Sequence, residues 1–239
     1  MPNARTIPLY AFYTGLVAVA TLIFTIYVPA TRGYFNVGES AVFIIALLAG
    51  ARAGAFAGGV GSMIADIMLG YYFFAPATLV IKGVEGGVLG LLAGKQPKLT
   101  MRAWKLISIA VGAAISLAIF ILGSVYYTGE TEISLGLPWF NYSQFTVSIP
   151  AAFWTLLGLI AGGIVVATSF TARPEAGYAA LCSTVAGLLM VIGYFLYEQF
   201  ILGYVAIAEV PFNIGQVLVG IAIAIPAYNS LKALKRTSA

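Results

Sequence analysis

Five ionisable side chains interrupt stretches of sequence that are otherwise fit for lipid: Glu39, Asp66, Lys82, Glu85 and Glu198. A charge in the bilayer interior costs about 2.5–3.5 kcal/mol per residue even on lenient insertion scales, so such residues usually face a bundle interior and mark a pathway or a ligand. Counted at 1.5 Å per residue from the outer ends of their segments, Asp66 lies about 6 Å in, Glu198 about 7 Å, Lys82 about 9 Å and Glu85 about 13 Å. Lys82 and Glu85 are three apart, share a helix face, and can simply pair with each other. Glu39 and Glu209 stand at outer helix starts, where a carboxylate offsets the positive end of the helix dipole as readily as it meets a ligand. Aromatic residues crowd the same level: Tyr34, Phe35, Tyr71, Tyr72, Phe73, Phe74, Tyr194 and Tyr197. A few convergent polar groups in an aromatic surround are the usual make-up of a small-molecule pocket.

Catalysis has little to work with. The chain has no His, which removes the commonest general base and the commonest metal ligand together. Its lone Cys182 can form no internal disulfide, and no His or Cys cluster has zinc-ligand spacing. The run Gly90-Leu-Leu-Ala-Gly94-Lys95-Gln96 is one residue short of a phosphate loop and has Gln where Ser or Thr must hold magnesium. The Gly58–Gly61 cluster has no strand before it, so it is no dinucleotide fingerprint, and no serine stands in a nucleophile elbow. The chain therefore reads as a binder rather than an enzyme. No cofactor and no nucleic-acid partner are implied, and energy for uptake must come from a partner or an ion gradient.

Composition sets the positioning scaffold. With 61% hydrophobic and 8% charged residues and a mean hydropathy of +0.99, the chain is far more apolar than a soluble domain. Eight apolar segments follow one another: roughly Ile7–Val28, Glu39–Gly50, Ala53–Gly70, Pro76–Gly94, Trp104–Tyr127, Pro150–Phe170, Pro174–Gly203 and Pro211–Leu231. About 20 apolar residues are needed to span a bilayer, and most segments qualify. The second is short. Gly50-Ala51-Arg52-Ala53-Gly54 argues for a tight hairpin between it and the third rather than one long helix. The expected fold is an all-α polytopic bundle of six to eight spans, one membrane-embedded domain over residues 1–239. The first run lacks a convincing small-residue cleavage site and reads as a span.

With the N-terminus placed in the cytoplasm, Arg5, Arg52, Lys95, Lys98, Arg102, Lys105, Arg173, Lys232, Lys235 and Arg236 fall inside and only Arg32 outside. That is the positive-inside pattern, with both termini cytoplasmic in a cell membrane. Glu130 and Glu132 fall in the long outer loop Thr128–Ser148. Pro138, Trp139, Phe140 and Tyr142 of that loop read as an aromatic belt, or as a lid over an outward-facing pocket. Small residues recur every four positions: Ala49, Ala53, Ala57, Gly61 and Ala65; Gly50, Gly54, Gly58 and Ser62; Gly86, Gly90 and Gly94. Helices so bare let backbones approach closely, and ordinary packing accounts for them. Ala11-x-x-x-Gly15 repeats the pattern near the cytoplasmic end of the first segment.

These stretches also carry a resemblance. Phe35-Asn-Val-Gly-Glu-Ser40 with the short helix to Gly50, Gly61-Ser-Met-Ile-Ala-Asp66 with Leu69-Gly-Tyr71, and Ala75-Pro-Ala-Thr78 through Lys82-Gly-Val-Glu-Gly86 resemble the substrate-binding S components of energy-coupling-factor vitamin transporters. Glu209-Val-Pro-Phe-Asn-Ile-Gly-Gln216 resembles their last-helix entry. The similarity covers about the first hundred residues and the last thirty. It implies capture of a vitamin from outside and docking on a transmembrane coupling subunit that carries two ATPases. In that family docking uses Ala-x-x-x-Ala in the first helix; here Ala11 matches and Gly15 replaces the second Ala. The family is usually six-spanning, so two of the eight segments are additional, near Thr128–Phe170. The candidate substrate-binding set is then Glu39, Asp66, Tyr71, Lys82, Glu85, Glu198 and Asn213, with Tyr34 and Phe35 as a lid. Riboflavin is the first ligand to consider. The competing reading is a stand-alone, ion-coupled secondary transporter or channel using Asp66, Glu85 and Glu198; against it, the chain carries no inverted repeat of broken helices.

Overall fold

All eight apolar runs form helices in the computed structural model, which describes residues 6–28, 33–95, 100–126, 128–135, 143–171 and 174–237. They are α1 (Thr6–Ile23), α2 (Gly38–Ala49), α3 (Ala51–Leu69), α4 (Ala75–Lys95), α5 (Met101–Tyr126), α6 (Ala151–Thr171), α7 (Pro174–Leu202) and α8 (Val210–Thr237). Among the described residues, five helices (α1, α4, α5, α7 and α8) are long and apolar enough to cross a membrane. The helical bundle is an integral membrane protein.

The α2–α3 hairpin turns on Gly50, whose φ of +82° suits a residue without a Cβ. The two arms are unequal, 12 residues in α2 against 19 in α3. At 1.5 Å per residue α2 therefore begins about 10 Å below the end of α3. This offset matters for the site, because it sinks the start of α2 into the bundle. Gly70, at φ +86°, ends α3 in a left-handed cap whose N–H reaches back to Asp66 and Ile67. A four-residue aromatic turn then leads into α4.

Helix α3 packs most closely against α4, then α1 and α2. The small-residue stripes explain why: a Cβ added at Gly54 would come 2.6 Å from the Gly86 carbonyl oxygen, and one at Gly58 would come 2.9 Å from that of Lys82. Gly61 lies instead against α1, 2.8 Å from the Thr14 carbonyl oxygen by the same measure. Gly94 faces open space, so its place in the repeat is incidental. Helices α7 and α8 close the bundle against α4 and α2, around a core of Phe43, Leu89, Ala186, Met190 and Val217. Helices α5 and α6 pack mainly on each other and only lightly on α7 and α8.

Two features differ from the sequence reading. The first helix ends at Ile23 rather than Val28, because Thr25–Val28 leaves it as strand β1, which turns back into β2 (Gly33–Asn36). Three of those four residues are β-branched and the fourth is Tyr, types that suit a strand. The long segment between α5 and α6 likewise holds a strand pair, β3 (Gly129–Leu135) and β4 (Ser143–Ile149). The four strands form one antiparallel sheet in the order β2-β1-β3-β4, so the α1–α2 and α5–α6 connections are hydrogen-bonded together. Pro138, Trp139, Phe140 and Tyr142 lie outside the described residues. The sheet adds to the helical bundle without closing on itself.

Candidate ligand-binding site

One cavity opens at the sheet-bearing end of the bundle. Its walls come from α1 (Thr21), β2 (Gly33, Tyr34, Asn36), α2 (Glu39), α3 (Ser62, Asp66), the aromatic turn and α4 (Phe74, Thr78, Lys82), α7 (Tyr194, Glu198) and the α8 entry (Glu209, Asn213, Gln216). Of the sequence-proposed set, Glu39, Asp66, Lys82, Glu198, Asn213 and Tyr34 line it.

The floor is a buried charge cluster. Lys82 lies seven residues into α4, about 10 Å from its start, the depth to which the short α2 lowers Glu39. The Lys82 ammonium accordingly donates a hydrogen bond to Glu39 Oε2. Glu85 Oε2 lies 3.2 Å from Lys82 Nζ, within ion-pair range, yet neither Glu85 oxygen receives a hydrogen bond among the described residues. The simple Lys82–Glu85 pair of the sequence reading is thus a three-member cluster whose stronger link runs to Glu39. That carboxylate is a partner of Lys82 and not only a dipole offset at a helix start. All three side chains are buried, Glu85 completely. Such groups are tolerated only when paired, and this cluster pairs two carboxylates with one ammonium. Glu85 stands behind Lys82 and outside the cavity lining.

Above the floor, hydrogen bonds tie the walls together. Tyr34 donates its hydroxyl proton to Asp66 Oδ1 at 2.5 Å, joining β2 to α3. Burial above all, and then the Asp66 carboxylate, holds the Tyr34 phenol well above its ordinary pKa, so it stays a neutral donor. Tyr194 donates to Thr78 Oγ1 at 2.9 Å, joining α7 to α4, and its ring centre lies 6.0 Å from Lys82 Nζ. The Asn36 backbone N–H donates to Gln216 Oε1 at 2.7 Å, and Gln216 Nε2 donates to Asn213 Oδ1 at 3.1 Å, which anchors β2 on α8.

An aromatic shelf borders the mouth. The rings of Tyr34 and Tyr71 lie 4.6 Å apart, those of Tyr71 and Phe74 6.5 Å, and those of Phe74 and Tyr197 6.0 Å. Tyr71 therefore supports Tyr34 from behind instead of lining the cavity. The alternation of a strand separates the two lid residues: Tyr34 and Asn36 face the cavity, while Phe35 points to α8 beside Gly215.

The sequence reading did not include Thr21, Asn36, Ser62, Thr78 and Gln216 in the site, because single hydroxyls and amides carry no distinctive spacing. Glu209, read from the sequence as a dipole offset or a ligand contact but left out of the candidate set, is buried here on the cavity wall. Ala11 and Gly15 stand elsewhere, exposed on the outer face of α1, where a Cβ on Gly15 would meet nothing within 4 Å.

Comparison with known proteins agrees with this architecture. A protein of Pyrococcus woesei described as "Uncharacterized protein in gap 3'region" is 47% identical over 74 residues, 31% of this chain and 49% of the relative, so the chain spans about half the length of that relative. Residues 1–168, more than half of the chain and including the α1–α4 walls of the cavity, match the family described as "ECF-type riboflavin transporter, S component". The chain belongs to the family of ECF-type riboflavin transporter S components.

Proposed function

We propose that this protein captures a vitamin or closely related small molecule in the cavity between β2, α3, α4, α7 and α8, and hands it to a transmembrane coupling subunit driven by two ATPases. The observation that carries the reading is convergence. Buried ionisable and hydrogen-bonding groups from seven separate elements meet at one end of a membrane bundle, beside an aromatic shelf. A bundle needing only to pack gains nothing from unpaired polar atoms, each of which costs free energy. Site membership in this proposal is Glu39, Asp66, Lys82, Glu198 and Asn213 in contact with ligand, Glu85 holding Lys82, Tyr71 backing Tyr34, and Tyr34 with Phe35 as the lid strand.

The positive-inside excess at the opposite end of the bundle, with Arg52, Lys95, Arg102 and Lys105 near it, turns the cavity outward and keeps both termini cytoplasmic. The whole chain acts as one binding domain. Ala11 and Gly15, bare and exposed on α1, offer a second helix the close backbone approach that small residues permit. This is the proposed contact with the coupling subunit. Riboflavin, the vitamin in the family's description, is the first trial ligand.

The test is reconstitution. Vesicles holding the chain together with a coupling subunit and its ATPases should accumulate vitamin only with ATP, and vesicles holding the chain alone should not. Uphill accumulation by the chain alone, with ion gradients collapsed, contradicts the proposal. Accumulation by the chain alone that follows an imposed ion gradient establishes the ion-coupled reading in its place.

A further inference from the structure

A second cavity, of about 230 Å³, lies between the α5–α6 pair and α8 and shares no lining residue with the polar one. All of its lining residues are apolar. Helix α8 gives it one stripe, from Pro211 through Gly215 and Leu218 to Ala222, spaced four, three and four apart as one helix face requires. At about 100° per residue, Asn213 and Gln216 stand on the opposite face, where they line the polar cavity. Helix α8 is therefore a partition with a different cavity on each side. From α6 come Leu157 and Ile160, which belong to the lining and are also 37% and 50% exposed. The cavity is thus continuous with the lipid-facing surface that carries Leu156 and Leu159.

A void of this kind leaves its lining without partner atoms and forfeits their dispersion contacts. Apolar cavities stay dry, and one of about 150 Å³ already admits an aromatic ring. Inside a bilayer the apolar matter at hand is the acyl chain. The dimensions suit it. The lining runs from Trp154 to Val165 on α6 and from Pro211 to Ala222 on α8, about 16 Å along each helix. That is close to one leaflet's share of a hydrocarbon core about 30 Å thick. Trp154 and Pro211 both stand near the starts of their helices, so the leaflet is the one at the sheet-bearing end. We propose that one acyl chain of a membrane phospholipid from that leaflet seats in this cavity and forms the packing between α5–α6 and α8. Among the described residues no ionisable side chain lines the cavity, so the chain is recognised and the headgroup stays at the membrane surface. The proposal does not depend on the polar cavity being a vitamin site.

The full chain, delipidated in detergent, is supplied in turn with dioleoyl phosphatidylcholine, dihexanoyl phosphatidylcholine and oleate, and the species retained are weighed by native mass spectrometry. Ala222→Phe and Ala161→Phe narrow the cavity from its α8 and α6 walls. The control Gly163→Phe adds the same bulk to an exposed position of α6 outside the lining, where a Cβ meets nothing within 4 Å. The parent should keep one dioleoyl lipid per chain and little of the other two. Occupancy should fall about tenfold in both cavity variants and stay unchanged in Gly163→Phe. A parent that keeps no phospholipid overturns the proposal, and so does equal retention of the dihexanoyl lipid, which would assign recognition to the headgroup. Retention of oleate in place of the phospholipid overturns it too, as does a cavity variant that folds and keeps the lipid as the parent does. The comparison of chain lengths uses the parent alone, so the result does not hang on either variant folding.

Discussion

Helices α3 and α4 form an antiparallel pair in contact through glycine, and so do α5 and α6. In the first, Gly54 meets Gly86; in the second, a Cβ on Gly112 would come 2.8 Å from the Gly162 carbonyl oxygen, and one on Gly158 2.7 Å from that of Ser116. Their surroundings differ. The α3–α4 pair is wrapped by α1, α2 and α7, whereas α5–α6 leans lightly on α7 and α8 and leaves Leu106, Leu117, Leu156 and Leu159 exposed to the surrounding lipid. The contents differ too. Asp66, Lys82 and Glu85 lie in the first pair, while no ionisable residue interrupts α5 beyond Lys105 or any part of α6. Close glycine packing thus supplies proximity and nothing more. A binding site needs enclosure in addition, so that buried charges can be held and aimed.

Substitution at the two glycine contacts should break this comparison open with the largest effect. Gly86→Leu has only the Gly54 backbone to move into, and bulk at such a contact blocks helix approach. Loss of monodisperse protein on size-exclusion chromatography is the expected outcome. Gly162→Leu should spread α5 from α6 while the remaining helices keep their ligand affinity. A folded Gly162→Leu protein with abolished binding would place α5–α6 inside the site and end the distinction drawn here.

Next in size is the floor of the α3–α4 side. Lys82→Met strands Glu39 and Glu85, and breaking a buried pair this way costs about 3–5 kcal/mol. Thermal unfolding in nanodiscs should fall accordingly, and Glu39→Gln with Glu85→Gln added to Lys82→Met should recover much of it. A Lys82→Met protein as stable as the parent would mean that the cluster carries no net charge to compensate.

Glu85→Gln separates stability from binding more gently, since it keeps shape and hydrogen bonding and removes only charge. Freed from Glu85, Lys82 turns wholly to Glu39, and ligand affinity should shift by about tenfold, equivalent to about 1.4 kcal/mol. If this variant folds and binds with unchanged affinity, Glu85 is structural and leaves the site.

The smallest effect on the isolated chain should come from α1. Ala11→Leu and Gly15→Leu sit on exposed helix surface and should leave stability and ligand affinity near normal while disrupting co-purification with the coupling subunit. Equal loss of both properties would assign the two residues to packing within the bundle.

Much of this was legible from the chain itself. Apolar runs of span length, Gly50 and Gly70 at the turns, and charges set in lipid-compatible sequence fixed eight helices and pointed to Asp66, Lys82 and Glu85, because each signal is local. The links between elements were not legible. That Glu39 reaches Lys82 depends on α2 being seven residues shorter than α3, a consequence of length differences summed over a hairpin. The sheet was hidden because the four residues of β1 read as the continuation of a long apolar helix and the seven-residue strands β3 and β4 fell in a stretch that read as a loop. The Asn36–Gln216 hydrogen bond spans 180 positions, and no periodicity announces it. Phe35 looked equivalent to Tyr34 until the pleat of β2 sent it to the other side.

The central claim is that the cavity floored by Lys82 holds a small molecule, and mass spectrometry of gently purified protein tests it most directly. Parent and Asp66→Asn proteins, each checked for folding, are isolated in nanodiscs and their bound small molecules released and weighed. The account predicts one vitamin-sized species at near one per chain in the parent, strongly reduced in Asp66→Asn, whose Tyr34 link across the mouth is weakened. Equal retention by both proteins, or a parent that holds no such molecule and takes up none when supplied with the vitamins, would contradict it.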